Sequence, residues 1–278
     1  MPRMSRRLLF LFSLACSSTA AAQSPPSRIV SMNVCTDQLL LRLVEPDRIA
    51  SLSYLAADPY YSPFSVEAKR FVLNRGRAEE VVALEPDLVL TSQFSAGFTA
   101  SLLERRGYDV VRFGFANDLD DVTAQVTQLG ELTQRGEQAE VLLENLHSTV
   151  AESGARLRTV LRGERAVFLS NNGFVFGKET LQDAFLQDLG LINVASESGL
   201  FGPAPMSLEA LLAAEPTLVF MPTMNAVDAQ LAHPLLRHPV WERLSAQVHR
   251  VVLEDRWFDC AGPELLHAYA ALEREFLP

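Results

Sequence analysis

Histidine, cysteine and tryptophan are scarce in this 278-residue chain, which has five, three and two of them. So few thiols exclude a small scaffold stapled by several disulfides. The histidines do not cluster. His147, His249 and His267 are scattered, and His233 and His238 are each followed by Pro, which interrupts the helix that would bring both to one face. A zinc or manganese site, which wants clustered His and carboxylates, is therefore poorly supported. No stretch approaches the roughly 20 apolar residues of a membrane helix. There is no Gly-x-Ser-x-Gly elbow. The segment Gly173 to Gly177, followed by Lys178, Glu179 and Thr180, resembles a phosphate-cradling loop but has one residue too few between its glycines. It also puts Glu179 where a Ser or Thr would meet magnesium.

What is present begins with an export signal. Arg3, Arg6 and Arg7 supply a positive start, residues 8–15 an apolar run, and Ala20, Ala21 and Ala22 a small-residue cleavage site, so residues 1–22 are predicted to be removed. Lipidation at Cys16 ranks second, because Ser13-Leu14-Ala15 lacks the Leu wanted three residues before such a cysteine. Cleavage leaves 21 basic residues against 34 acidic ones, a formal charge of −13. That excess argues against nucleic acid and against anionic membrane surfaces as partners. Cys35 and Cys260 remain.

β-branched runs alternate with amphipathic segments from Arg28 to Arg112, which predicts a mainly parallel sheet covered on both faces. The alternation stops over residues 119–162, where Val141, Leu142, Leu146, Val150 and Leu157 recur at helical spacing without a Pro. A helix to about Thr133 and a long one over 135–161 are predicted, the latter about 40 Å long. Alternation then resumes and ends in a helix over 263–276. The expected fold is α/β: an N-terminal lobe over 23–118, a helical connector over 119–162 and a C-terminal lobe over 163–278, each lobe holding a mainly parallel sheet.

The two halves share a pattern. Residues 78–90, AEEVVALEPDLVL, parallel residues 208–220, LEALLAAEPTLVF. Both encode a short helix, a Pro that ends it and a buried strand. Each has a Glu in the first helical turn, where the peptide dipoles favour an anion.

With the block at 79–90, the segment Phe176-Gly177-Lys178-Glu179-Thr180 and the late Trp257-Phe258 pair, the sequence resembles the class III periplasmic binding proteins over nearly its whole length. These serve ABC importers of cobalamin, haem and ferric siderophores. The resemblance implies two lobes joined by a long rigid helix, and capture of a metal chelate, corrinoid or ferric siderophore, in the periplasm. It further implies a monomer that hands its ligand to a permease and its ATPase, without cofactor or catalysis. Glu79 and Glu209 match the residues that dock on the membrane subunits. The implied ligand contacts are Tyr54, Asn74, Arg75, Ser92, Gln93, Arg256, Trp257 and Phe258, because aromatic rings offer rigid area to a flat macrocycle and polar heads can bond its rim.

The cobalamin-binding member of that family has Trp in place of Ser92 and Arg in place of Cys260. Loss of that ring shifts stacking to other residues, with Phe94 and Phe174 as candidates. Cys35 and Cys260 are both expected near the cleft. They are read as unpaired, partly buried thiols, with a disulfide clamp or contact to a soft metal as the alternatives. Other functions considered are a haem, zinc or manganese receptor and a periplasmic hydrolase. For a hydrolase no nucleophile and general base can be nominated.

Overall fold

In the computed structural model of the chain, residues 24–222, 246–260 and 262–277 are described, with Pro239 and Trp241. The expected signal peptide, Cys16, His233 and His238 lie outside the described residues.

The N-terminal sheet is built from β1 (Ile29–Ser31), β2 (Ile49–Ser53), β3 (Leu73–Asn74), β4 (Leu88–Ser92) and β5 (Val110–Phe113). All pairings are parallel, in the order β3-β2-β1-β4-β5. Its connections carry α1 (Val34–Leu43), α2 (Ser65–Ala68), α3 (Ala78–Val82) and α4 (Gly97–Arg105). Two helices follow, α5 (Leu119–Thr133) and α6 (Gly136–Leu161). Asp118 caps α5 by accepting from the Asp121 N–H, and Gln134 ends it in a left-handed conformation. The predicted boundaries of both helices therefore hold to within a residue.

The second half contains β6 (Arg165–Phe168), β7 (Phe174–Phe176), α7 (Leu181–Asp188), β8 (Ile192–Asn193) and α8 (Val194–Glu197). It continues through β9 (Pro203–Pro205), α9 (Leu208–Ala213), β10 (Leu218–Met221), β11 (His249–Val252) and the closing α10 (Leu265–Phe276). The main sheet is parallel, in the order β11-β10-β6-β8, and β7 pairs antiparallel with β9 as a separate arm.

The sequence repeat is also a repeat of structure. Glu85 and Glu215, each before a Pro, both turn left-handed at φ 47° and 46°. An Arg at the start of the neighbouring strand then donates to the carbonyls of the finished helix, Arg28 to Leu84 and Arg165 to Ala214. A buried Asp in the first turn of α1 and of α7 repeats as well. Asp37 accepts from Ser53 at the end of β2, and Asp183 from Asn193 at the end of β8.

At 26 residues, α6 is about 39 Å long. Leu143, Leu146, Val150, Leu157 and Leu161 form its buried stripe, while Val141 and Val160 face solvent. That stripe must be covered, and α5 and α10 cover it. One apolar cluster consequently runs from Leu40 and Leu90 in the first lobe through Leu146 and Leu157 to Phe168, Phe185 and Phe220 in the second. Each lobe adds a smaller cluster on its other face, around Val30, Val89 and Leu103 and around Val167, Leu211 and Val219. The connector is thus the spine of a shared core rather than a strut between two separate ones.

Candidate ligand cleft between the lobes

In a parallel α/β sheet the loops at the carboxyl ends of the strands carry ligands, chiefly where the strand order reverses. In the first lobe that reversal lies between β1 and β4, which end at Ser31 and Ser92 and lead into Asn33 and Cys35 and into Phe94. The loop after β11, residues 253–260, comes from the second lobe. A pocket of about 70 Å3 lies between them, lined by Asn33, Cys35, Ser92, Phe115, Gln125 and Asp259 among others. A water molecule occupies about 30 Å3, so this niche accepts a ligand's side group and not its body.

Above the niche stands an aromatic platform. Phe94 and Phe115 are 65% and 66% exposed and stack on each other, ring centroids 4.2 Å apart and nearly parallel at 13°. Ser92 builds the turn that presents Phe94. Its hydroxyl accepts from the Phe94 and Ser95 backbone N–H groups at 3.2 and 3.0 Å. Gln93 is exposed beside it, its backbone N–H held by the Phe113 carbonyl. Beyond β2 and β3, the Arg75 guanidinium lies over the exposed Tyr54 ring, 4.8 Å from its centroid. Ser53, the residue before Tyr54, is fixed by Asp37, which burial pushes up from 3.8 to about 7 against the opposing hydrogen bonds from Ser31 and Ser53.

Several expected contacts sit elsewhere. Asn74 is only 2% exposed, and its amide donates to the Ser31 and Leu52 carbonyls and the Ser51 hydroxyl at 2.8 to 3.0 Å. It stitches β1, β2 and β3 together and has no donor left for a ligand. Phe258 is 5% exposed and packs edge-on against Phe168 and Phe185. The short 3-10 turn Asp255–Trp257 sends that ring into the shared core and leaves Trp257 half-buried against His267. Arg256 is engaged by protein: it pairs with Glu254 and donates to the Pro59 carbonyl of the opposite lobe at 2.8 Å.

The cysteines are not free thiols. Cys35 and Cys260 form a disulfide across the lobes, with their Cα atoms 4.8 Å apart over 225 residues of sequence. The reading as unpaired thiols fails because α1 and the last loop meet at the niche. A second link lies nearby, from Arg42 on α1 to the buried Glu264 before α10, at 3.1 Å.

Phe115, Asn33, Gln125 and Asp259 were missed as site residues. Phe115 and Asn33 each stand two residues beyond a strand end, where a parallel sheet carries its ligand loops. Asp259 follows Phe258 in the last loop. Its side chain reaches solvent through the cleft yet is crowded by protein, and this crowding, with Asp255 nearby, raises its carboxyl from 3.8 to about 7. Among the described residues no group of three or more His, Cys, Asp or Glu is arranged to hold a metal ion, and no helix is long and apolar enough to cross a membrane.

A family model described as periplasmic binding protein matches residues 29–255. This chain belongs to that family. A cobalamin-binding protein of Halobacterium salinarum is 25% identical over 212 residues, covering 74% of this chain and 56% of that protein. The chain thus spans little more than half the length of that relative. A vitamin B12-binding protein of Pectobacterium carotovorum is 24% identical over 263 residues, covering 89% of this chain and 87% of its own. Among solved structures, a possible iron-binding periplasmic protein of Staphylococcus epidermidis matches with a TM-score of 0.74 at 19% identity, over 91% of this chain and 99% of that one. The periplasmic haem-binding protein HutB of Vibrio cholerae matches with 0.71 at 19% identity, over 90% and 99%. These likenesses agree on a two-lobed α/β fold with mainly parallel sheets.

Glu79 and Glu209 are exposed in the first turns of α3 and α9, the equivalent helices of the two lobes.

Proposed function

We propose that this chain is the exported substrate-binding protein of an ABC importer, that it captures a bulky metal chelate between its lobes, and that a corrinoid fits the cleft best. The observation that carries this reading is the stacked Phe94–Phe115 platform above a niche lined from both lobes. A flat macrocycle gains area and ring contact on such a platform. Its amide side groups can enter a niche where Asn33, Gln125 and Asp259 offer hydrogen-bonding groups, while Tyr54 and Arg75 bond its rim. Phe94 and Phe115 supply the ring surface that Ser92 lacks. The names of the cobalamin-binding relatives support the same ligand class.

Delivery uses Glu79 and Glu209. Two acids on equivalent helices of separate lobes give a two-point electrostatic register with a symmetric membrane partner. The protein acts as a periplasmic monomer, with residues 1–22 as its export signal, and performs no chemical step.

Titration of the purified protein with cyanocobalamin, haem and a ferric hydroxamate, read by intrinsic tryptophan fluorescence, tests the reading. Saturable one-to-one quenching by cyanocobalamin supports it. Quenching by the ferric hydroxamate alone moves the ligand to the siderophore class. Turnover of ester or phosphate substrates instead of binding would show a hydrolase.

A further inference from the structure

The Cys35–Cys260 bridge does more than join two loops. Both cysteines line the niche, beside Asn33, Ser92, Phe115 and Asp259, and both remain half-buried rather than sealed in the core. The bridge also secures a strap, residues 255–260 and 262–264, that crosses from the second lobe onto the first. Further ties to that lobe include the Arg256 bond to the Pro59 carbonyl and the Arg42–Glu264 pair. A ligand seated on the Phe94–Phe115 platform with a side group in the niche would stand between the sulfurs and solvent.

We propose that the disulfide is part of the ligand-contact wall, so that chelate binding and reduction of the bridge oppose each other. This rests on the cleft being the ligand site. Reduction requires a dithiol: its thiolate attacks one Sγ, the Cys35–Cys260 bond breaks, and the other sulfur leaves as a thiolate that takes up a proton. The second thiol of the reductant then resolves the mixed disulfide, leaving two protein thiols and one oxidised dithiol. A bound chelate blocks the approach of the attacking thiolate. Once the bridge is open, the strap keeps its polar ties and its Phe258 anchor in the core, but the wall loses its covalent tie to the first lobe. By reciprocity, the factor by which bound ligand disfavours reduction of the bridge at equilibrium is the factor by which the reduced form binds ligand more weakly.

The test uses the oxidised full-length mature protein and dithiothreitol. The rate of bridge opening is read by acid quench, alkylation and mass spectrometry, without ligand and with saturating cyanocobalamin or ferric hydroxamate. Binding itself is measured in parallel by calorimetry. Opening about tenfold slower in the complex is expected from occlusion of the sulfurs, and weaker binding to reduced than to oxidised protein is expected from the equilibrium coupling, typically about five- to 150-fold. A ligand that binds in the calorimeter yet leaves the opening rate unchanged overturns the inference and leaves the cleft assignment standing. If none of the chelates binds, the cleft assignment falls and the inference with it. The double variant Cys35→Ser, Cys260→Ser should release ligand faster than the bridged protein. If that variant does not fold, the protection measurement on the natural chain still decides.

Discussion

Asp37 offers a prediction whose size follows from the structure. The residue is fully buried in the first turn of α1 and accepts from the Ser53 backbone N–H and hydroxyl, which fixes the end of β2 just ahead of Tyr54. Burial raises its carboxyl from 3.8 to about 7. Below pH 3.8 the group is protonated in both folded and unfolded chains and adds no pH dependence. Between about pH 4 and 7 the unfolded chain ionises first, so the folded state loses stability as pH rises, by about 1.4 kcal/mol per pH unit. Above about pH 7 the loss levels off at about 4 kcal/mol. Asp87 and Glu273, whose carboxyls are held low by hydrogen bonds, act at more acidic pH and with the opposite sign. Asp259 titrates in the same window but is common to both proteins compared. Urea unfolding midpoints of the natural protein and Asp37→Asn at pH 5, 6, 7 and 8 isolate the Asp37 share. The variant should be the less stable at pH 5, where the natural carboxylic acid keeps its hydrogen bonds, and should gain on the natural protein by about 3 kcal/mol by pH 8. A stability difference that stays constant from pH 5 to 8 refutes this account of Asp37.

Further outcomes follow from other features. Phe94→Ala should weaken chelate binding about tenfold by calorimetry, the loss of one stacked ring, with thermal stability little changed because the ring is exposed. Glu79→Ala combined with Glu209→Ala should abolish transporter-dependent uptake and leave affinity for the ligand unchanged; normal uptake removes the docking assignment. Gly177→Ala should lower the melting temperature markedly, because an added Cβ would stand 2.2 Å from the Leu200 carbonyl oxygen. Loss of the disulfide should lower unfolding stability by up to about 5 kcal/mol, the loop-entropy ceiling for a closure of this length, read from urea midpoints with and without reductant.

Much of the fold was legible because its signals are periodic. The apolar stripe of α6 and the paired helix-Pro-strand units both carry local patterns, and both appear where they were expected. The strands β3, β7 and β9 have two or three residues each, too few for alternation to register, and β9 begins and ends in Pro. Trp257 and Phe258 are chemically alike and adjacent, and only the turn that holds them decides which ring enters the core. Asn74 reads as a polar loop residue until three strand ends converge on its amide. The disulfide left no local trace, because its partners lie 225 residues apart and meet only when both lobes have folded around the shared core. Asp259 and Phe115 became visible as a pair only once the niche was assembled.

The central claim is that a bulky chelate lies on the Phe94–Phe115 face between the lobes. Calorimetry with cyanocobalamin on the natural protein and on the double variant Phe94→Ala, Phe115→Ala tests it most directly. The account predicts one-to-one binding by the natural protein and a loss of about a hundredfold in the variant. Equal affinity in the two proteins, or no binding of any bulky chelate by the natural one, contradicts it.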